Sequence, residues 1–231
     1  MEKLLYVIWK PDDVPIERFR RDLLGPTAQE LIAAGARGLA VTLADDLALP
    51  GLRITQMHQP LAGMVSVWLD TALNRVPVEE ALARVTARLA GYLALESVPL
   101  VNTRHVSPLG ERTPGLYTVA FLEKPDALTY DEWLQRWQGQ HTAVAIETQS
   151  TFLYIQNVLV RALTADAPPW VAIVEEAFPA EAATDPMVFY DAGGSPERLK
   201  EHQRRMMESC ERFIDFNRFE THPMSAYVLQ R

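Results

Sequence analysis

A single cysteine, Cys210, stands in a chain of 231 residues, so no intrachain disulfide can form and a reducing, cytoplasmic setting is expected. The chain has no run of lysines and arginines to offset its net charge of −8. Nucleic acid and anionic membranes, both bound through clustered positive charge, are therefore not expected as partners. No stretch approaches the ~20 apolar residues of a membrane span. The opening MEKLLYVIWKPDD has an apolar run too short for a signal peptide and no small-residue cleavage site. GxGxxG, P-loop and GxSxG patterns are absent. His58, His105, His202 and His222 are scattered without metal-ligand spacing, which fits surface or structural roles. Neither a metal nor a cofactor is expected.

The chain is 48% hydrophobic, ordinary for a globular protein, and long enough for one large domain or two small ones. KLLYVIWKP (3–11) reads as a strand, and 14–35 as a helix with Asp13 as its cap and Pro15 in its first turn. Strands follow at 38–44 and 63–71, then a helix over 76–95 with Val78, Leu82, Val85, Leu89 and Tyr92 on one stripe. A strand over 98–106 closes the half. The second half repeats this order: a strand at 115–125, a helix opened by a Thr129/Glu132 capping box, and a hairpin of 152–163 with 170–178. A helix over 195–216 with Ser195 as cap and a strand at 225–230 complete it. One constant offset maps Phe19 onto Trp133, Leu23 onto Trp137, Gly25 onto Gly139 and Thr27 onto His141. A glycine shared by two helix interiors is unusual, because it costs ~1 kcal/mol relative to alanine. The expectation is an α+β chain of two tandem ferredoxin-like (β-α-β-β-α-β) units, residues 1–110 and 111–231, packed sheet to sheet.

LYTVAFLEKPDALTYDEWLQRWQGQHTAVA, then YIQNVLV, then AIVEEAF, resembles the EthD-type domain of the dimeric α+β barrel superfamily over roughly 115–180. The first half matches only by element order and a few residues. The resemblance implies a barrel of two units fused in one chain and a cleft between each sheet and its helices. It also implies activities like those of polyketide decarboxylases and cyclases. It carries the family histidine onto His141 and the family glutamate onto Glu175. At the matching first-half positions stand Thr27 and Ser66, so one functional cleft, in the second half, is expected. Val158, where relatives often carry a polar residue, is a further departure.

Trp133, Trp137 and His141 recur at every fourth residue and so share one helix face. An imidazole on an apolar stripe is either a core histidine or a proton-transfer group, since its reference pKa of ~6.5 lets it act both ways near neutrality. Tyr154 and Gln156 alternate on one strand face and are expected under that helix; Asn157 lies on the other face. Glu175 and Glu176 are adjacent, so only one can face the cleft, and a register slip of one residue exchanges them. His141, Tyr154 and Glu175 form the expected catalytic set, with Trp133, Trp137, Gln156, Asn157 and Glu176 as substrate contacts. Cys210 falls on the apolar stripe of its helix and is expected to be inert. The leading reading is a cofactor-free lyase or cyclase acting on an aromatic or polyketide-like small molecule. The alternatives are a cofactor-independent monooxygenase on the same scaffold and a non-enzymatic binding or assembly protein. Fusion makes a pseudo-dimer within one chain and leaves pairing of two chains open.

Overall fold

Eight strands close into an antiparallel barrel in the computed structural model, which describes residues 1–56 and 60–231. They are β1 (Glu2–Trp9), β2 (Gly38–Leu43), β3 (Gly63–Leu69), β4 (Arg88–Leu100), β5 (Leu116–Leu122), β6 (Leu153–Ala162), β7 (Ala172–Phe178) and β8 (Phe219–Gln230). Around the barrel the order is β1-β3-β2-β8-β5-β7-β6-β4, and β4 returns to β1. Each half of the chain contributes four consecutive staves. The two sheets expected to pack face to face are also joined at both edges, by β2 with β8 and β4 with β6, so neither leaves an unpaired edge.

Alternation along each strand builds two kinds of core. On β1, Leu4, Tyr6 and Ile8 face outward to the helices, whereas Leu5, Val7 and Trp9 face the barrel interior. Burial on both faces explains why LLYVIW is continuously apolar. Helices α1 (Ile16–Asp22), α2 (Ala28–Ala33) and α3 (Val76–Ala83) cover β1–β4. Helices α4 (Tyr130–Leu134), α5 (Thr142–Thr148), α6 (Pro186–Phe189) and α7 (Pro196–Cys210) belong to the second half, and α4, α5 and α7 cover β5–β8.

Several expected elements are redrawn. The helix expected over 76–95 stops at Ala83, and β4 begins at Arg88, so the strand expected over 98–106 ends at Leu100. Leu89 and Leu93 face the helices while Ala90, Tyr92 and Ala94 face the interior. A strand apolar on both sides mimics a helical stripe, because it has an apolar residue wherever the helical period asks for one. Gly91 belongs to this strand, since a Cβ there would lie 2.7 Å from Tyr6 Cε1. Pro15, rather than Asp13, occupies the first N-cap, with no side-chain cap hydrogen bond. The last strand starts at Phe219, earlier than expected, and α7 ends at Cys210, capped at its start by Ser195.

Each long first helix of a half is broken by one π-helical turn, at Leu23–Thr27 and at Gln135–His141. The shared glycines Gly25 and Gly139 both lie inside these turns. A π-turn inserts an extra residue into the helix and is frequently found at functional sites.

Candidate active site

The site is built on the outer face of β5–β8, beneath α4, α5 and α7. Thr129 starts the helix with the expected capping box: its Oγ1 accepts from Glu132 N at 3.3 Å, and Glu132 Oε2 accepts from Thr129 N at 2.9 Å. This fixes the entry of a helix that carries Trp133, Trp137 and His141 inward. Both tryptophans are fully buried, with ring centroids 5.1 Å apart, and His141 is buried just beyond them. Trp137 Nε1 donates to Tyr154 Oη at 3.4 Å, whereas Trp133 Nε1, in the same cluster, is buried without a hydrogen-bond partner among the described residues.

His141 comes from the π-turn. Its ring lies against Phe213, centroids 4.7 Å apart, with Nδ1 3.0 Å from Ser209 Oγ. Burial lowers its pKa to about 4, so the imidazole is neutral at physiological pH. Tyr154 is held well above the ordinary phenol range, first by burial and then by the Glu176 carboxylate.

The register of the hairpin decides between the adjacent glutamates. Tyr154 on β6 pairs with Glu176 on β7, so Glu176 lies on the helix side with Tyr154. Glu175, expected with His141, points instead into the barrel interior, where it accepts from Tyr117 Oη at 2.7 Å and from Asn157 Nδ2 at 3.1 Å. Strand parity requires this, because neighbours on a strand face opposite sides. Glu176 has no hydrogen-bond or ion-pair partner among the described residues, and burial raises its carboxyl to about 7.

A cavity of about 230 Å³ lies between sheet and helices, lined by Trp137, His141, Tyr154 and Glu176 together with apolar groups such as Val174, Met206 and Phe213. Of the residues expected to meet substrate, the structure brings these four together. Trp133 is absent from the lining. Gln156 donates to Thr142 Oγ1 at 2.8 Å, tying strand to helix, and Asn157 lies on the interior face with Glu175. The sequence reading missed Ser209, whose signal is a polar residue beside Cys210 on the apolar stripe of α7. It also missed Leu52 and Ile54, which come from the β2–β3 connection of the first half and line the same cavity. Ile54 and Thr221 exchange backbone hydrogen bonds of 3.0 and 3.1 Å, and no local pattern announces that contact. In the first half, Phe19, Leu23, Leu31 and Val67 pack as a continuous core, with Thr27 buried at the position matching His141.

Cys210 also lines the cavity, but burial raises its thiol to about 12, which keeps it protonated. Of the other histidines, His105 lies against Phe152, His202 Nδ1 is 2.5 Å from Tyr190 O, and His222 is buried 3.1 Å from Glu220 Oε2. His58 lies outside the described residues. Among the described residues no cluster of three or more histidine, cysteine or acidic side chains is placed to hold a metal, and no helix is long and apolar enough to cross a membrane.

Solved structures match this architecture along nearly its whole length. An anthrone oxidase-like protein superposes with a TM-score of 0.55 at 10% identity, covering 100% of this chain and 94% of that one. A provisionally assigned monooxygenase from Lactobacillus acidophilus gives 0.52 at 10% identity, over 99% and 96% of the two chains. Another, from Fusobacterium nucleatum, gives 0.53 at 8% identity, over 100% and 94%. These structures share the barrel architecture described above. No family model and no curated protein matches the sequence. At these identities the likeness is one of fold, and fold alone carries no reaction.

Proposed function

We propose that this protein is a cofactor-independent oxygenase acting on a flat, electron-rich aromatic small molecule in the cavity between β5–β8 and their helices. Glu176 takes a proton from a phenol or from a methylene between aromatic rings. Tyr154 donates a hydrogen bond to the developing oxyanion, and neutral His141, held by Ser209, orients the ligand against Trp137. The carbanion or phenolate then reduces dioxygen. For a methylene substrate one oxygen atom enters the carbon as a carbonyl; for a phenol it enters a ring C–H carbon as a quinone carbonyl. In both cases the other oxygen leaves as water with the two hydrogens lost, the methylene pair or the phenol's O–H and ring C–H. The observation that carries this reading is Glu176: an unpartnered carboxylate in an apolar cavity, with its carboxyl near 7, as a general base at neutral pH requires. The names borne by the structural neighbours point toward the same chemistry.

Oxygen uptake with anthrone and with a hydroquinone, measured above the enzyme-free rate, tests it. Wild-type protein should consume oxygen, and Glu176→Gln should lose roughly 10²–10⁴ of that rate. Equal uptake by the two proteins overturns the assignment. A lyase reading, decarboxylation or aldol-type cyclisation of a polyketide-like acid, is favoured by His141, which lines the same cavity and is held through Nδ1 by Ser209 behind it, a second proton-transfer group beside Glu176. Turnover under nitrogen would select it.

The same reading holds the chain to be two fused ferredoxin-like units, 1–110 and 111–231, the second of EthD type. The strand orders β4-β1-β3-β2 and β8-β5-β7-β6 and the paired π-turns support it.

A further inference from the structure

The barrel interior holds a second cavity, larger than the first at about 420 Å³, and opening at the end of the barrel where β1 begins and β8 finishes. Its wall contains a buried charged cluster. Lys3 is 4% exposed, pairs with Glu96, and has Nζ 3.6 Å from Glu175 Oε1 and 4.7 Å from the Trp68 ring centroid. Glu175 is satisfied on both oxygens, by Asn157 Nδ2 on one and Tyr117 Oη on the other. Glu96 Oε1 has no partner among the described residues. The cluster therefore sets two carboxylates against one ammonium. At the mouth, Arg37 is held by Asp70 at 2.8 Å, and Arg231 shares the rim with Glu111. The rest of the wall is mainly apolar, with Leu153, Ile155 and Ala226 inside and Val101 and Val106 exposed at the entrance.

We propose that this lumen is a binding site for a flat, largely apolar organic amine whose ammonium group takes the open oxygen of Glu96. Glu96, a quarter exposed, pairs with Lys3 through one oxygen and turns the other to the lumen; because Glu96 and Glu175 share the one ammonium, the cluster is short of one positive charge, which a ligand cation supplies. An anionic ligand would meet two carboxylates and is rejected by the same argument. Trp68 and Tyr117 provide aromatic faces, and the volume lies within the range of small-molecule sites. The site is independent of the cleft. Glu175 and Glu176, neighbours on β7, place one carboxylate in each cavity.

Isothermal titration with three indoles of matched shape tests it: tryptamine, tryptophol and indole-3-acetate. Tryptamine should bind with Kd below about 1 mM, at least tenfold tighter than tryptophol, with indole-3-acetate weakest. Glu96→Gln should remove the tenfold preference for the amine. Ala40 lines the lumen from β2, so Ala40→Phe should fill the cavity and abolish binding while the thermal transition persists. Glu176→Gln should leave tryptamine binding unchanged. The proposal is overturned if none of the three binds, if the acid binds as well as the amine, or if Ala40→Phe retains affinity. Loss of binding in Glu176→Gln would place the amine in the cleft and overturn it equally.

Discussion

His141 and Glu176 share a cavity, and burial moves their proton affinities in opposite directions. His141 is lowered from 6.5 to about 4, so in the pH interval between these values the unfolded chain binds a proton that the folded one does not. Its contribution is full above 6.5 and is lost as pH falls toward 4, by about 3 kcal/mol. Glu176 is raised from 4.5 to about 7, so the folded chain holds the extra proton. Its contribution is present below 4.5 and lost as pH rises through 7, by about 1–3 kcal/mol once its partial exposure is allowed for. The two nearly cancel in the wild type and separate in single variants. Glu176→Gln should therefore raise Tm at pH 8 while lowering oxygen uptake, a stability gain at the cost of function. His141→Gln should leave the Glu176 contribution unopposed, so that stability rises as pH falls from about 6.5 to 4.5. Chemical denaturation across that range reads both, and a Tm at pH 8 unchanged by Glu176→Gln would contradict the buried-carboxylate account. In activity, kcat/KM should rise with pH through about 7 in the wild type, following deprotonation of Glu176.

At the scale of elements, the second half was readable where each signal had one meaning. The Thr129 cap, the Ser195–Pro196 start of α7 and the β6–β7 hairpin are local chemistry with narrow alternatives. The segment 84–95 was misread because a doubly buried strand satisfies both periods, and the choice between Glu175 and Glu176 turned on a register that no residue type marks. The π-turns were present in the sequence only as the shared glycines. Two glycines, Gly91 on β4 and Gly139 in the second π-turn, carry predictions at this scale. Gly91→Ala should destabilise the protein by about 1–3 kcal/mol, because its Cβ meets a fully buried Tyr6 ring that cannot withdraw. Deleting Gly139 should restore a regular helix and turn His141 by roughly 100° relative to Trp137. Stability should then rise as pH falls from about 6.5 to 4.5, as in His141→Gln, while the far-UV spectrum stays helical; a pH dependence unchanged from the wild type would show that the π-turn does not position the imidazole.

For the whole molecule, the decisive feature is that neither half can bury its own interior. Leu5, Val7, Met64 and Tyr92 from the first half pack in one cluster with Tyr117, Val119, Phe121 and Ile173 from the second. The seams β2–β8 and β4–β6 are hydrogen-bonded ladders, with register shifts at Leu39/Ala40 in the first and at Leu93/Ala94 and Ser97/Leu100 in the second. Separating the halves would expose that cluster and four strand edges together, so the barrel should unfold as one cooperative unit despite its two-part chain. The covalent link between the halves, residues 101–115, lies outside the named strands and is tied to β8 by hydrogen bonds from Gly110 N to Val228 O and from Thr113 N to Ala226 O, both 2.8 Å. A protease site placed in that segment should, after cleavage, leave two fragments that co-elute as one species and melt in a single transition with far-UV spectrum unchanged. Their mixed core, rather than the chain connecting them, is what holds the cleft closed by Leu52 and Ile54. Independent melting of the two fragments, or their separation on a sizing column without denaturant, would show that each half is stable alone and that the shared interior is secondary.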